Sequence, residues 1–236
     1  PLSDRVILWT RVIPQEAGNA LTVNWRVATD QTFAHVVASG QTSASEASDY
    51  TIKVDATGLQ PNRRYFYRFN ALGINSATGT TKTLPDGAAT NFTIGVASCS
   101  NFPQGFFNAY RHMAETDLDV VLHLGDYIYE YPEAEYANDY AREVLRRSVA
   151  PKHEVIALED YRMRYGLYRT DPDLQALHQR HPFICVWDDH ELANNTWREG
   201  AENHNEGEGD FQRRIAAARQ AYHEWMPIRT PDEGDQ

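Results

Sequence analysis

The sequence predicts a β-rich N-terminal domain, a short linker and an α/β domain. Residues 1–85 contain short β-branched or aromatic stretches at hairpin-like spacing, without a helical period of useful length. Residues 83–89 include Pro85 and Gly87 and have the composition of a linker. Beyond them the pattern changes to strand, helix and strand, which is typical of a βαβ unit. We therefore expect domains at 1–85 and 86–236.

The N-terminal domain is expected to be a β-sandwich. The segment from 59 to 69 resembles the strand-entry corner of fibronectin-type sandwiches, where a Tyr hydroxyl bonds back to the backbone upstream. Alternation along this segment places Tyr65, Tyr67 and Phe69 on one side, which indicates an aromatic row facing a core. The predicted strands span 6–12, 20–28, 35–40, 50–56 and 65–70.

The second domain contains three short apolar stretches, at 92–97, 119–124 and 183–187, which we interpret as buried strands. Between the first two, the spacing of apolar side chains predicts one face of a helix. That face comprises Phe106, Phe107, Tyr110 and Met113.

Two further helical regions are expected. Residues 139–181 are rich in Arg, Tyr and Leu with helical spacing and two Pro breaks, which predicts helices covering the active face. Asp210 is a candidate cap for a last helix, in which apolar residues recur from Phe211 to Trp225, and Pro227 ends it. This stripe is typical of a helix that packs in a core.

A polar cluster follows each of the three predicted strands. The clusters begin at Cys99, at Gly125 and, after Trp187, at Asp188. Because the carboxyl ends of strands in an α/β sheet meet along one edge, we expect all three clusters in one crevice. Singly, each could be a turn, a small buried residue or a helix start. Together they supply a thiol, carboxylates, a phenol, an imidazole and amides, which is a mixed ligand set for metals.

The order of the clusters resembles the calcineurin-like metallophosphoesterases, whose motifs run D-x-H, G-D, G-N-H-E and two later His-bearing segments. More narrowly, it resembles the PhoD type of alkaline phosphatase and phosphodiesterase. In that branch Cys99 stands where the usual Asp would be, and Asn101 stands where the usual His would be. The likeness includes residues 125–131, 187–195 and 221–227, and it extends from near residue 1 to near residue 230.

This resemblance implies a fibronectin-type sandwich followed by the first half of a metallophosphoesterase αββα sandwich. It also implies a site that holds Fe³⁺ and Ca²⁺, with other divalent metals as alternatives. Cys99 and Tyr129 suit a ferric ion, and Asp126 can bridge two cations because it has two oxygens. Asp189 and Asn195 offer hard oxygens that are better matched to calcium.

Three more residues are assigned roles by the resemblance. It places His190 near the leaving oxygen as an acid or a transition-state donor, and Asp188 is a candidate to orient its imidazole. The alternative for His190 is a helix-start His that bonds a local carbonyl. Asn101 is expected to contact the substrate.

The expected function is metal-dependent hydrolysis of phosphate esters. Phospholipase D-like hydrolysis of phospholipid head groups is a close alternative, and a monoester or a diester substrate is equally open. A hypothesis of another class is a non-catalytic binding module built on the sandwich, with a degenerate second domain. The joint presence of Cys99, Asp126, Tyr129 and His190 argues against degeneration.

The amino-acid composition limits which partners the protein can bind and where in the cell it can work. The 236 residues carry 42% hydrophobic residues and a formal charge of −11, which disfavours stable binding to a nucleic-acid backbone. No run of 18 apolar residues is present, so we expect no membrane span. Cys99 and Cys185 are expected to remain unbridged. The chain begins at Pro1 without Met, which implies a processed or trimmed start, and the resemblance implies a secreted or cell-envelope bacterial protein.

The later His-bearing ligands of the family have no counterpart here. His204 lies in a polar stretch and His223 on an amphipathic helix, so neither replaces them. We therefore expect a second chain or a C-terminal fragment that packs against the helix at 211–225 and donates at least one His to the metals.

Overall fold

The computed structural model describes residues 1–16 and 18–230, and it begins with a β-sandwich. One sheet pairs β1 and β4, and the other has the order β3-β2-β5-β6 with β7 also paired to β5. All five predicted strands are present, whereas β6 and β7 were not predicted. The strands are β1 (Val6–Arg11), β2 (Leu21–Ala28), β3 (Val36–Ala44), β4 (Thr51–Ala56), β5 (Arg64–Ala71), β6 (Ile74–Asn75) and β7 (Gly79–Lys82).

The corner before β5 has the predicted geometry. The backbone N–H of Gln60 donates a hydrogen bond of 2.8 Å to the hydroxyl of Tyr65, which is buried in the sandwich core. Phe69 is buried in the same core, and Tyr67 packs at its margin. The predicted aromatic row therefore faces inward, as the alternation along β5 requires.

The second domain is built on a parallel three-stranded sheet with the order β10-β9-β8. Gly95, Val121 and Phe183 occupy equivalent positions on the three strands. Because the strands run in the same direction, their carboxyl ends lie along one edge of the sheet, so β plus α/β is confirmed as the fold class. The strands are β8 (Ile94–Ala97), β9 (Val120–His123) and β10 (Phe183–Cys185).

Helices connect and cover these strands. The helix α1 (Asn108–Glu115) lies between β8 and β9, and it packs against α4 (Pro172–Arg180). The helices α2 (Asp139–Glu143) and α3 (Leu158–Tyr168) precede α4 in the predicted helical region. The last helix is α5 (Phe211–Trp225). No helix within residues 1–16 and 18–230 is long and apolar enough to cross a membrane.

The two faces of the parallel sheet differ. Gly95 and the residues that share its face are buried, apart from the half-buried Cys185, and a Cβ added at Gly95 would lie 2.7 Å from Met113 of α1. On the opposite face a row of apolar side chains is exposed, including Val96 at 60% and Val186 at 53%. The other exposed members are Ile94, Leu124 and Ile184. Val120 on the same face is buried and Leu122 is half-buried, so the described residues 1–16 and 18–230 cover this apolar sheet face only in part.

The helix α5 corrects one prediction. Its start agrees with the sequence, because Asp210 accepts a hydrogen bond of 2.8 Å from the Gln212 N–H. Its apolar stripe, however, is buried within the chain: Trp225 stacks on Tyr165 of α3 with ring centroids 6.2 Å apart, and Trp9 of β1 packs nearby at 5.6 Å. The sandwich and α3 together cover the stripe. The expectation that a second chain packs there is therefore wrong, and the exposed apolar surface is the sheet face.

Candidate metal centre

The polar clusters meet at the carboxyl edge of the sheet, and left-handed backbone helps to bring them there. Cys99 follows β8 with φ 57°, and Asp126 follows β9 with φ 53°. The Cys99 N–H donates to the Gly125 carbonyl at 3.3 Å, which joins these two loops. Both cysteines are free thiols, as predicted.

Gly125 allows the loop after β9 to contact the loop after β10. Its φ is 100°, and a Cβ added there would lie 2.5 Å from both Cβ and N of Asp188. Such a distance is shorter than any ordinary carbon contact, and the neighbouring atoms include backbone. No side chain fits at this position unless the two loops move apart.

We expect Gly125→Ala to destabilise the chain by about 2–4 kcal/mol, because left-handed strain and overpacking add. Gly58→Ala is the matched control, since Gly58 also has positive φ, at 76°, but has no atom within 4 Å of an added Cβ. Urea unfolding of both variants measures the difference. Equal destabilisation of the two variants would show that the loop contact contributes nothing.

Asp126 lies at the centre of the site and is only 7% exposed. Its Oδ2 accepts a hydrogen bond of 3.2 Å from the Tyr129 hydroxyl, and the Cys99 thiol also bonds to the carboxylate. Its Oδ1 is buried without a hydrogen-bond partner among the described residues. An unpaired buried carboxylate oxygen is unfavourable, and a bound cation would satisfy it.

Asp126 also belongs to a second group. Single ligand atoms of Asp126, Asp189 and His190 all lie within 4.8 Å of one another, a spacing at which one cation can contact all three. Asp126 is thus shared between this group and the pair formed by Cys99 and Tyr129. The arrangement supports the predicted bridging role, which remains a prediction.

The electrostatics of these ligands also fit a cation. Burial raises the pKa of Asp126, and burial followed by the charge of Asp126 raises the pKa of Tyr129. A hydrogen bond with Ser98 lowers the pKa of the Cys99 thiol, but burial and Asp126 outweigh it, so that this pKa is also raised. The ionised forms that ligate metals are therefore unfavourable without a positive charge nearby. A bound metal ion supplies that charge and reverses the direction of the shifts.

His190 is held by Glu130, a residue that the sequence did not single out. The His190 Nδ1 lies 2.8 Å from a carboxylate oxygen of Glu130, whose side chain is completely buried. The other carboxylate oxygen accepts from the Asn194 N–H at 2.6 Å and from the Asn203 amide at 2.5 Å. Burial lowers the pKa of His190, but the hydrogen bond and charge of Glu130 outweigh it and raise this pKa overall.

This contact corrects the expected partner of His190. The predicted orienting residue, Asp188, is exposed, and Glu130 occupies the hydrogen-bonding position on Nδ1 instead. Nor does the ring bond a local carbonyl. With Nδ1 bound to a carboxylate, Nε2 is the ring nitrogen available to a substrate or a cation. The rings of Tyr129 and Tyr131 pack on the imidazole with centroids 4.3 and 5.4 Å away.

Glu191 joins the loops after β9 and β10. Its fully buried carboxylate accepts backbone hydrogen bonds from Asp126 at 3.0 Å, Tyr127 at 2.6 Å and Asp188 at 2.8 Å. Burial raises its pKa to about 7, although the three amides act in the opposite direction. Sequence reasoning missed both Glu130 and Glu191, and the available signal was an acid placed directly beside the motif residues.

The two asparagines assigned from the sequence have different surroundings. Asn195 is exposed, its N–H donates to Asp189 at 2.5 Å, and its side-chain amide bonds to Glu202. Asn101 is buried, and both ends of its amide contact protein: the Tyr136 carbonyl at 2.9 Å and the Tyr168 hydroxyl at 2.7 Å. Substrate contact by Asn101 and metal ligation by Asn195 remain predictions.

Arg164 supports the loop that carries Asp126 and Glu130. Its guanidinium is fully buried without a carboxylate partner, and it donates instead to backbone carbonyls. The acceptors are Tyr129, Tyr131 at 3.1 Å, Ala150 at 3.1 Å and Pro151 at 3.0 Å. These contacts order the backbone that presents the Tyr129 and Tyr131 side chains.

Comparisons with known proteins agree over the whole chain. The family model described as PhoD-like phosphatase matches residues 94–236, and the model of the PhoD-like phosphatase N-terminal domain matches residues 1–85. Alkaline phosphatase D of Bacillus subtilis (strain 168) is 41% identical over 237 residues, which cover 97% of this chain and 40% of that protein. The solved structure titled "Structure of PhoD" aligns with a TM-score of 0.90 at 40% identity, covering 100% of this chain and 46% of that chain. This chain therefore spans less than half the length of these relatives.

Proposed function

The chain belongs to the PhoD-like phosphatase family, and we propose that the protein containing it is a metal-dependent phosphoric ester hydrolase. The observation that carries this proposal is the buried, unpaired oxygen of Asp126 within a group of metal-type ligands. A packing role does not account for it, because buried carboxylate oxygens in structural networks accept hydrogen bonds. The same observation disfavours a non-catalytic binding module.

The proposed ligands form two groups, and Asp126 belongs to both. Cys99 and Tyr129 would hold a ferric ion with Asp126, since both side chains are anionic when they ligate a metal and the hardness and charge of the ferric ion favour phenolate. Asp189 and Asn195 would offer oxygens to a calcium-type ion. When bound, the metal ions supply positive charge against the phosphoryl oxygens and lower the pKa of water.

The chain's own residues contribute proton transfer and positioning. His190, with Nδ1 held by Glu130, would present Nε2 to the leaving oxygen and donate a proton to it. Glu130 acts as a positioning residue, because its second carboxylate oxygen accepts hydrogen bonds from the backbone N–H of Asn194 and from the side-chain amide of Asn203. Glu191 and Arg164 maintain the loop from which Asp126 projects.

The remainder of the protein would complete this site. The exposed apolar sheet face, from Val96 across to Ile184, is the surface on which a further segment would pack. The relatives are more than twice as long as this chain, so they contain enough further residues to form such a segment. We propose that it covers this face and donates at least one further metal ligand. Secretion or export to the cell envelope is part of the same proposal and rests on the bacterial relative.

The test is hydrolysis by the intact polypeptide that carries this chain. After removal of metals and reconstitution with iron and calcium, it is assayed with p-nitrophenyl phosphate, bis-p-nitrophenyl phosphate and a phosphatidylcholine vesicle. We expect ester hydrolysis that is lost on chelation and returns with metal. The ranking of the three substrates distinguishes monoesterase, diesterase and phospholipase activity. A folded, metal-reconstituted protein that hydrolyses none of them would contradict the proposal.

A further inference from the structure

A cavity lies between the sandwich and the α/β domain, away from the metal centre. Its volume is about 300 Å³, which is at the lower end of the range for small-molecule sites. Trp9 and Tyr67 of the sandwich form one wall, and Arg169, His178 and Phe183 form the other. None of the three grouped metal-type ligands lines it.

Arg169 places a positive charge in this cavity. Its guanidinium lies 4.3 Å above the Trp9 ring, and one terminal nitrogen donates to the Trp225 carbonyl at 2.7 Å. Its Nε is buried without a hydrogen-bond partner, and no acidic side chain within residues 1–16 and 18–230 forms an ion pair with it. The carboxyl ends of α3 and α5 favour a cation there, but they leave this N–H without an acceptor.

The facing side chains include a second free donor. The Tyr67 side chain is half-buried, and its hydroxyl has no hydrogen-bond partner among the residues described. Burial raises the pKa of this hydroxyl to about 12, so the group keeps its proton. Arg169 is close enough to act electrostatically on Tyr67. His178 is half-buried and uncharged, since desolvation holds its pKa well below the usual value, and it stacks on Phe183 with ring centroids 3.8 Å apart. No anion in the cavity wall compensates Arg169.

We propose that this cavity binds a small phosphate-type oxyanion that carries an apolar body. The oxyanion would accept from Arg169 and Tyr67, because the unpaired Nε–H of a guanidinium and an unpaired hydroxyl are matched by oxygen acceptors. The apolar body would pack against Trp9, Phe69 and Phe183, whose rings form much of the wall. A free inorganic ion would satisfy the donors but leave these rings uncovered.

The cavity is also connected to the loop of the metal centre. Arg169 lies 5.4 Å from the Tyr127 ring, and the Tyr127 hydroxyl is 2.8 Å from Nε2 of His178. The Tyr127 backbone N–H is in turn held by Glu191. A ligand bound against Arg169 and His178 would therefore touch two side chains that pack on Tyr127, the residue that follows Asp126.

Binding of phenylphosphonate to the intact polypeptide that carries this chain, measured by calorimetry after treatment with a chelator, tests the proposal. We expect one saturable site per chain, with methylphosphonate and inorganic phosphate binding more weakly. Arg169→Lys and Tyr67→Phe should each weaken binding about tenfold, the loss expected for one hydrogen bond to a charged group. Arg26→Lys is the matched control, because Arg26 is exposed on the sandwich, and it should leave the affinity unchanged.

Two results would overturn the proposal. One is the absence of saturable binding to the unaltered chain, and the other is an unchanged affinity in both cavity variants. Equal affinity for inorganic phosphate and phenylphosphonate would show that the aromatic wall does not select an apolar body. Tyr67→Phe removes one oxygen atom and no packing, so it keeps the test decisive if Arg169→Lys unfolds.

Discussion

Asp126→Asn is expected to reduce phosphate-ester hydrolysis by the intact polypeptide at least about a hundredfold. The amide keeps the shape of the side chain and can still accept from Tyr129, but it removes the negative charge that both groups of ligands share. Metal ions contribute several kcal/mol of transition-state charge stabilisation, and each 1.4 kcal/mol corresponds to a tenfold change in rate. The measurement is kcat for p-nitrophenyl phosphate in the presence of iron and calcium.

Asp117→Asn is the matched control for this substitution. Asp117 is 85% exposed, pairs with Arg64 at the surface, and lies in no part of the proposed site. It should keep full activity, while thermal unfolding confirms that both variants remain folded. An active Asp126→Asn enzyme would place the reaction centre elsewhere.

His190→Ala is expected to slow hydrolysis of alkyl phosphates on the order of 10²-fold or more, as for other positioned acids and bases. The substitution removes the ring whose Nδ1 is bound to Glu130, and with it the proposed donor to the leaving oxygen. Substrates with a good leaving group, such as p-nitrophenyl phosphate, need less protonation and should be slowed much less. The ratio of the two losses is the quantity to measure.

Glu130→Gln separates positioning from proton donation. It keeps the size of the buried side chain but removes the charge opposite Nδ1, so its effect should have the same leaving-group dependence at smaller magnitude. Metal content should remain unchanged in both variants if His190 acts on the leaving group. Equal losses for good and poor leaving groups would instead indicate a binding or structural role for His190.

The fold was predictable where local chemistry determines it. The β-branched and aromatic strands of the sandwich, the Tyr65 corner and the Asp210 cap all depend on residues close in sequence. The strands β6 and β7 were missed because they have only two and four residues, which are too few to show a hydrophobic alternation. Pairing with β5, rather than local preference, forms them.

The site was predictable only in part, because its supporting contacts span long separations in sequence. The strand-end clusters identified Asp126 and His190, since each follows an apolar strand. Glu130 and Glu191 were assigned no role from the sequence, and only the folded chain shows that each is buried against partners about 60 residues away. The same holds for the apolar stripe on α5. Its periodicity predicts that the stripe is buried, but it does not predict that the sandwich and α3 are the elements that bury it.

The most direct test of a shared metal centre is anomalous scattering from crystals of the intact polypeptide reconstituted with iron and calcium. At the iron edge we predict a peak within bonding distance of Asp126, Cys99 and Tyr129, because these side chains meet and their ionised forms need a cation. Asp126→Asn crystals should lose that peak. Ordered iron elsewhere, with the Asp126 carboxylate free of metal, would contradict the proposed centre.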